Sequence, residues 1–154
     1  MIKIMFVCLG NICRSTMSEF VMKAMIKEEG LEDKFFVASS ATSNEAIGCD
    51  IHRGTKFILE KYEIPYTHRA AVRLQKSDYD KYDYFIGMEE TNIRDMKKIL
   101  GSDKKIYKLL EFAGEGGDIS DPWYTHDFDA TYADVTKGCR ALLDMLKKTT
   151  IYCG

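Results

Sequence analysis

Apolar runs of strand length alternate with stretches of helical spacing along this chain, which predicts an α/β fold on a doubly wound parallel sheet of about four strands. Two observations carry that prediction. The strand-like runs are continuously apolar rather than alternating, as expected of strands covered on both faces. Each is followed by a helical stretch or a turn-rich segment, the order of successive βα units. At 154 residues a single domain over residues 1–154 is expected, large enough to enclose a proper core.

The elements follow in order. IKIMFVCL (Ile2–Leu9) is the first buried strand. Met17, Phe20, Val21, Ala24 and Met25 then recur at helical spacing across Ser15–Glu29, and Gly30 stops the run. FFVASSA (Phe35–Ala41) is the second strand, and helical spacing returns over Arg53–Lys61 until the Ile64-Pro65 step. YDYFIGM (Tyr82–Met88) is a third buried strand, followed by a helix over Thr91–Leu100 that ends at Gly101. KKIYKL (Lys104–Leu109) has the length of a short fourth strand. Glu111–Asp129 is rich in Gly and Asp and too long for a mere connector. A helix over Thr131–Lys148 closes the chain. Such sheets bind ligands at the carboxyl ends of their strands.

Composition removes several classes of function. A hydrophobic content of 45% with 30% charged residues is that of a globular domain rather than a disordered one. The formal net charge of -2 offers no attraction to nucleic acid or to an acidic membrane surface. No basic stretch leads into an apolar export segment, and no apolar run approaches membrane-spanning length, so a cytoplasmic location is expected. The five cysteines are odd in number and form no CxxC pair, which favours reduced thiols over a disulfide scaffold or a zinc site. With His52, His68 and His126 scattered, neither metal nor cofactor is expected.

One stretch stands apart. VCLGNICRST (Val7–Thr16) lies where the first strand meets the first helix, and it places Cys8 and Arg14 at the two ends of a short loop. Gly10 and Asn11 between them tolerate a left-handed backbone, which turns successive N–H groups inward. Such a loop at a helix start is an anion cradle. N–H groups, the helix dipole and a fixed cation favour a thiolate there, and the planar fork of Arg14 suits two oxygens of a phosphate. The combination holds a phosphate-sized anion over a sulfur nucleophile. It is no nucleotide P-loop, since GxxxxGK is missing. The plainer alternative is a buried core cysteine followed by an ordinary surface arginine.

Cleaving a phosphate ester also needs a proton for the leaving oxygen. Asp121 in DISDPWYTHD (Asp118–Asp127) is the candidate, because Pro122 holds it extended and stiffens the loop. Trp123 and Tyr124 beside it would wall a pocket for a planar group. A simple turn with core-plugging aromatics is the competing reading of DPWY. A structural role competes likewise for His68. Ser39 and Ser40 at the end of the second strand, and Ser43 after it, carry hydroxyls able to hydrogen-bond a neighbouring loop, which pattern alone does not show.

VCLGNICRS, ASSATS, YDYFIGMEETN and DPWY, in that order, resemble the low-molecular-weight protein tyrosine phosphatases, a family whose sheet is flavodoxin-like. The resemblance spans essentially the whole chain. It implies that Cys8 is the nucleophile, Arg14 the phosphate clamp, and Asp121 the general acid and later the base. It further implies that Ser15 donates to the thiolate, and that Asn11, Ser39 and His68 form a network holding the loop. Leu9, Gly10 and Ile12 would supply cradle and pocket wall. Cys13 would be the second loop cysteine, able to form a reversible disulfide with Cys8. The implied partners are phosphotyrosine proteins or peptides, with inorganic phosphate as product and inhibitor, on a monomer or weak dimer.

The chain departs from the family pattern at three points. Glu45 stands where the family often has an aromatic, which weakens the case for acidic phosphopeptides. Trp123 replaces a common tyrosine, and RAAVRLQ (Arg69–Gln75) carries an apparent extra residue after His68. Arsenate reductases on the same scaffold need redox cysteines that GMEETN (Gly87–Asn92) lacks. Protein arginine phosphatases carry threonine where this chain has Ile12.

Overall fold

The computed structural model describes the backbone of residues 1–153 and the side chains of residues 1–149. Strands β1 (Ile2–Cys8), β2 (Phe35–Ala41), β3 (Tyr84–Gly87) and β4 (Ile106–Lys108) form one parallel sheet in the order β2-β1-β3-β4. Helices α1 (Arg14–Glu28), α2 (Arg53–Lys61), α3 (Glu90–Leu100), α4 (Pro122–Thr125) and α5 (Phe128–Cys153) join them, with 3₁₀ turns at Lys76–Asp80 and Leu109–Ala113.

Alternation along β1 divides the core. Ile4, Phe6 and Cys8 face the cluster built with Phe20 and Met22 of α1, Ile58 of α2 and Leu142 of α5. Met5 and Val7 face the opposite cluster, with Leu74, Phe85 and the α3 residues Ile93, Met96 and Leu100. Both faces are therefore covered, which is why the strands read as unbroken apolar runs. The chain leaves β1 toward β2 and returns past it to β3, so the winding reverses at β1. Ligands bind at such a reversal, and the start of α1 lies there. Among the described residues no helix is long and apolar enough to cross a membrane.

β2 and α2 have the expected limits, while β1, β3 and β4 are shorter than their apolar runs. Glu111–Asp129, too long for a mere connector, holds elements that the spacing did not locate. Asp121 accepts a bond from Trp123 N at 3.0 Å, and Pro122 takes the first helical position, so one turn of helix forms as α4. Asp127 accepts from Ala130 N at 2.9 Å and starts α5 three residues before Thr131, the start expected.

α5 packs on the turn after β4 through Gly138, where a Cβ would fall 2.5 Å from Leu109 Cγ. Leu109 is fully buried. Alanine in a helix interior gains about 1 kcal/mol over glycine, whereas overpacking a core costs about 1–3 kcal/mol. Gly138→Ala should therefore lose about 1 kcal/mol of stability in urea unfolding. A raised midpoint would mean that Leu109 can move aside.

Candidate active site

The loop from Leu9 to Cys13 turns on Asn11, the one residue of the loop with positive φ (60°); Gly10 is not left-handed. Asn11 is fully buried and its amide is used at all four positions. Its Nδ2 donates to Ser15 Oγ (2.8 Å) and to Ser39 Oγ (3.0 Å). Its Oδ1 accepts from Arg69 Nη2 (2.7 Å) and Val72 N (3.2 Å). Since arginine and a backbone N–H can only donate, the amide orientation is fixed by its neighbours.

That orientation aims the next proton. Ser15 Oγ accepts from Asn11, which leaves its own hydrogen for Cys8 Sγ at 3.0 Å. Asn11 N donates to the same sulfur at 3.3 Å. Ser39 Oγ in turn donates to Glu19 Oε1 at 2.6 Å, and Lys23 pairs with the other oxygen of that carboxylate at 2.6 Å. Ser15 and Ser39 thus both join the Asn11 network.

His68 does not. It is exposed and bonds Asp50 Oδ2 at 2.8 Å. Asp50 Oδ1 also accepts from Arg69 N at 3.1 Å. Holding that stretch of backbone at Asp50 turns consecutive side chains opposite ways: His68 points to solvent and Arg69 points inward. Arg69 occupies the network position, adding bonds to Asn11 O (3.3 Å) and Ser39 O (3.4 Å).

Arg14 has a buried side chain, and a buried charge demands partners. Nη1 donates to Ile119 O at 2.9 Å and lies 3.1 Å from Glu89 Oε2, while Nη2 lies 3.3 Å from Asp121 Oδ2. Burial works against the charge, but Cys8, Glu89 and Asp121 outweigh it and hold the guanidinium above its ordinary pKa. Sequence reasoning missed Glu89. Its signal was the acidic pair of GMEETN at a strand end beside the cradle.

These groups open on one cavity of about 170 Å³. Cys8, Arg14 and Asp121 line it, with Leu9, Gly10, Ile12 and Cys13 from the loop and Glu45, Trp123 and Tyr124 around them. Asn11 and Ser15 support it from behind. Trp123 and Tyr124 are both more than half exposed, as pocket walls are. Cys8 and Cys13 are both buried free thiols. Burial, then the neighbouring Cys8 and Asp121, push the Cys13 thiol up to about 12, so it stays protonated at neutral pH.

A sulfur, a guanidinium and a carboxylate thus line one cavity at the switch point of a parallel sheet. The chain belongs to the low molecular weight phosphotyrosine protein phosphatase family, whose model matches residues 3–151. It is 38% identical over 150 residues to the low molecular weight protein-tyrosine-phosphatase PtpA of Staphylococcus epidermidis, covering 96% of each chain. Among solved structures it resembles SP-PTP, the low molecular weight protein tyrosine phosphatase of Streptococcus pyogenes, with 41% identity and a TM-score of 0.86 over 95% of this chain and 93% of that one. YfkJ of Bacillus subtilis follows at 33% identity and a TM-score of 0.93, covering 97% and 96%.

Arg69→Ala should lower kcat roughly ten- to a hundredfold, the equivalent of about 1.5–3 kcal/mol for a charged hydrogen bond. His68→Ala should stay within about twofold. Steady-state kinetics of the two variants side by side checks this, and the reverse ranking would return the network position to His68.

Proposed function

We propose that this phosphatase hydrolyses phosphotyrosine through a phosphocysteine intermediate. The observation that carries the reading is a sulfur held by Ser15 Oγ and a loop N–H at the floor of the cavity that Asp121 and Arg14 also line. The phosphate dianion binds the loop N–H groups and Arg14. Cys8 thiolate attacks phosphorus, forming the S–P bond as the P–O bond to the phenol breaks, and Asp121 gives its proton to the departing oxygen. The Asp121 carboxylate then takes a proton from water as that water attacks phosphorus. Phosphate leaves and the thiolate returns.

The cavity supports a single side chain as substrate. At about 170 Å³ it lies below the roughly 300–1,000 Å³ usual for drug-sized ligands. Ile12, Trp123 and Tyr124 offer apolar walls to a phenyl ring. Glu45 sets a negative charge at the same cavity, which favours peptides that are not acidic beside the phosphotyrosine.

Cys8→Ser should abolish turnover yet still bind phosphate, and chelators should leave the natural enzyme unchanged. Asp121→Asn should cost about 10²–10⁴-fold, most on esters whose phenols are poor leaving groups. Rates across phenols of graded acidity check this. A uniform small loss would move the acid to Asp118 or Asp127.

Ile12 sets the substrate class. A branched apolar group beside the leaving group suits an aromatic ring, whereas a hydroxyl there favours a polar guanidinium. The natural enzyme should therefore prefer phosphotyrosine over phosphoarginine peptides, and Ile12→Thr should weaken the first activity and strengthen the second. A natural enzyme faster on phosphoarginine would replace phosphotyrosine as the substrate.

A further inference from the structure

His52 joins the two sides of the cavity. Its backbone N–H donates to Ile12 O at 2.9 Å, which ties it to the cradle. Its ring faces the other side. It stacks on Phe128 (5.3 Å between centroids, 17° between planes) and meets Trp123 edge-on (5.6 Å, 78°). Its Nδ1 accepts from Gly54 N at 3.0 Å, the cap of α2, so the proton of the neutral ring is on Nε2. Burial, then the nearby Arg53 and His126, lower its affinity for a second proton, in keeping with an Nδ1 that accepts.

The segment on which it acts has little support of its own. α4 is four residues long, too short to be stable as an isolated helix. Trp123 N–H donates to Asp121 Oδ1 at 3.0 Å, so the Trp123 backbone holds the Asp121 carboxyl. Phe128, on the far side of α4, is wedged between the His52 ring and Gly54, where a Cβ would fall 2.4 Å from Phe128 Cζ. Trp123 within α4 and Phe128 just after it thus both rest on His52, whose main chain is fastened to the cradle.

We infer that His52 is a positioning residue for the general acid: its ring sets where Trp123, and with it the Asp121 carboxyl, stands above the cradle. Ile12 to His52 is a backbone bond, His52 to Trp123 a ring contact, and Trp123 to Asp121 a backbone-to-carboxylate bond. The inference rests on Asp121 being the acid, and it assigns His52 no contact with substrate.

Two substitutions separate the parts of the side chain. His52→Asn keeps an acceptor for Gly54 N–H but has no ring, while His52→Phe keeps a ring and loses the acceptor. Each is assayed on aryl phosphates of good and poor leaving groups, in the natural and the Asp121→Asn backgrounds, after thermal melts establish folding. His52→Asn should lose ten- to a hundredfold in kcat on poor leaving groups, the scale on which small misplacements act. It should lose little on good ones, and nothing further in the Asp121→Asn background. His52→Phe should recover most of that kcat while melting at a lower temperature. Should His52→Asn fail to fold, His52→Ser is read in the same way. A loss equal across leaving groups, or one that persists in the Asp121→Asn background, overturns the inference. If Asp121→Asn alone shows no dependence on the leaving group, the acid assignment falls first and takes this inference with it.

Discussion

The site depends on the backbone of Asn11. A left-handed conformation in a residue with a Cβ costs roughly 1–2 kcal/mol, and the loop cannot turn its N–H groups inward without it. Four amide hydrogen bonds at about 0.5–1.5 kcal/mol each are enough to offset that cost. They also give the network a direction. Arg69 and Val72 only donate, so Asn11 Oδ1 must accept and Nδ2 must donate. Ser15 is then free to point its hydrogen at sulfur. One strained residue thereby fixes both the shape of the cradle and the polarity of the bonds reaching Cys8.

Arg14 imposes the second constraint. Removing a guanidinium from water costs several kcal/mol unless partners surround it, and the partners come from distant parts of the chain. Glu89 stands at the start of α3, while Ile119 and Asp121 belong to the segment before α4. That segment is fastened again by Ile119 N to Met88 O at 2.9 Å and by Asp118 to Lys108 at 3.0 Å. Anchoring one buried cation therefore also brings Asp121 to the cavity that Cys8 lines. Lys108 repeats the logic on a smaller scale, as a buried lysine between Glu90 and Asp118.

The parts legible in the sequence are those with a local cause. Burial on both faces makes β1 and β2 continuous apolar runs, and Cys8, Gly10, Asn11 and Arg14 lie within seven residues of one another. Asp121 was legible because proline restricts its neighbour. What sequence reasoning missed depends on where side chains point after the chain has folded. His68 and Arg69 are adjacent, and the hydrogen bonds at Asp50, 18 residues away from His68, decide which one turns inward. Glu89 serves a charge 75 residues distant. The turn of α4 and the early start of α5 hang on single capping carboxylates, in a stretch that the sequence marks as more than a connector without placing a helix in it.

Two kinds of contact span the cavity, and they differ in what substrate does to them. The pairing of Arg14 with Asp121 is ionic, and a phosphate dianion competes for the same guanidinium fork. On the proposed mechanism, bound phosphate weakens this pairing. The His52 contacts with Trp123 and Phe128 involve no group that phosphate can displace. On that mechanism Asp121 then gains from a second anchor of this insensitive kind, the role inferred for His52. His52 supplies it from a backbone already tied to Ile12 of the cradle.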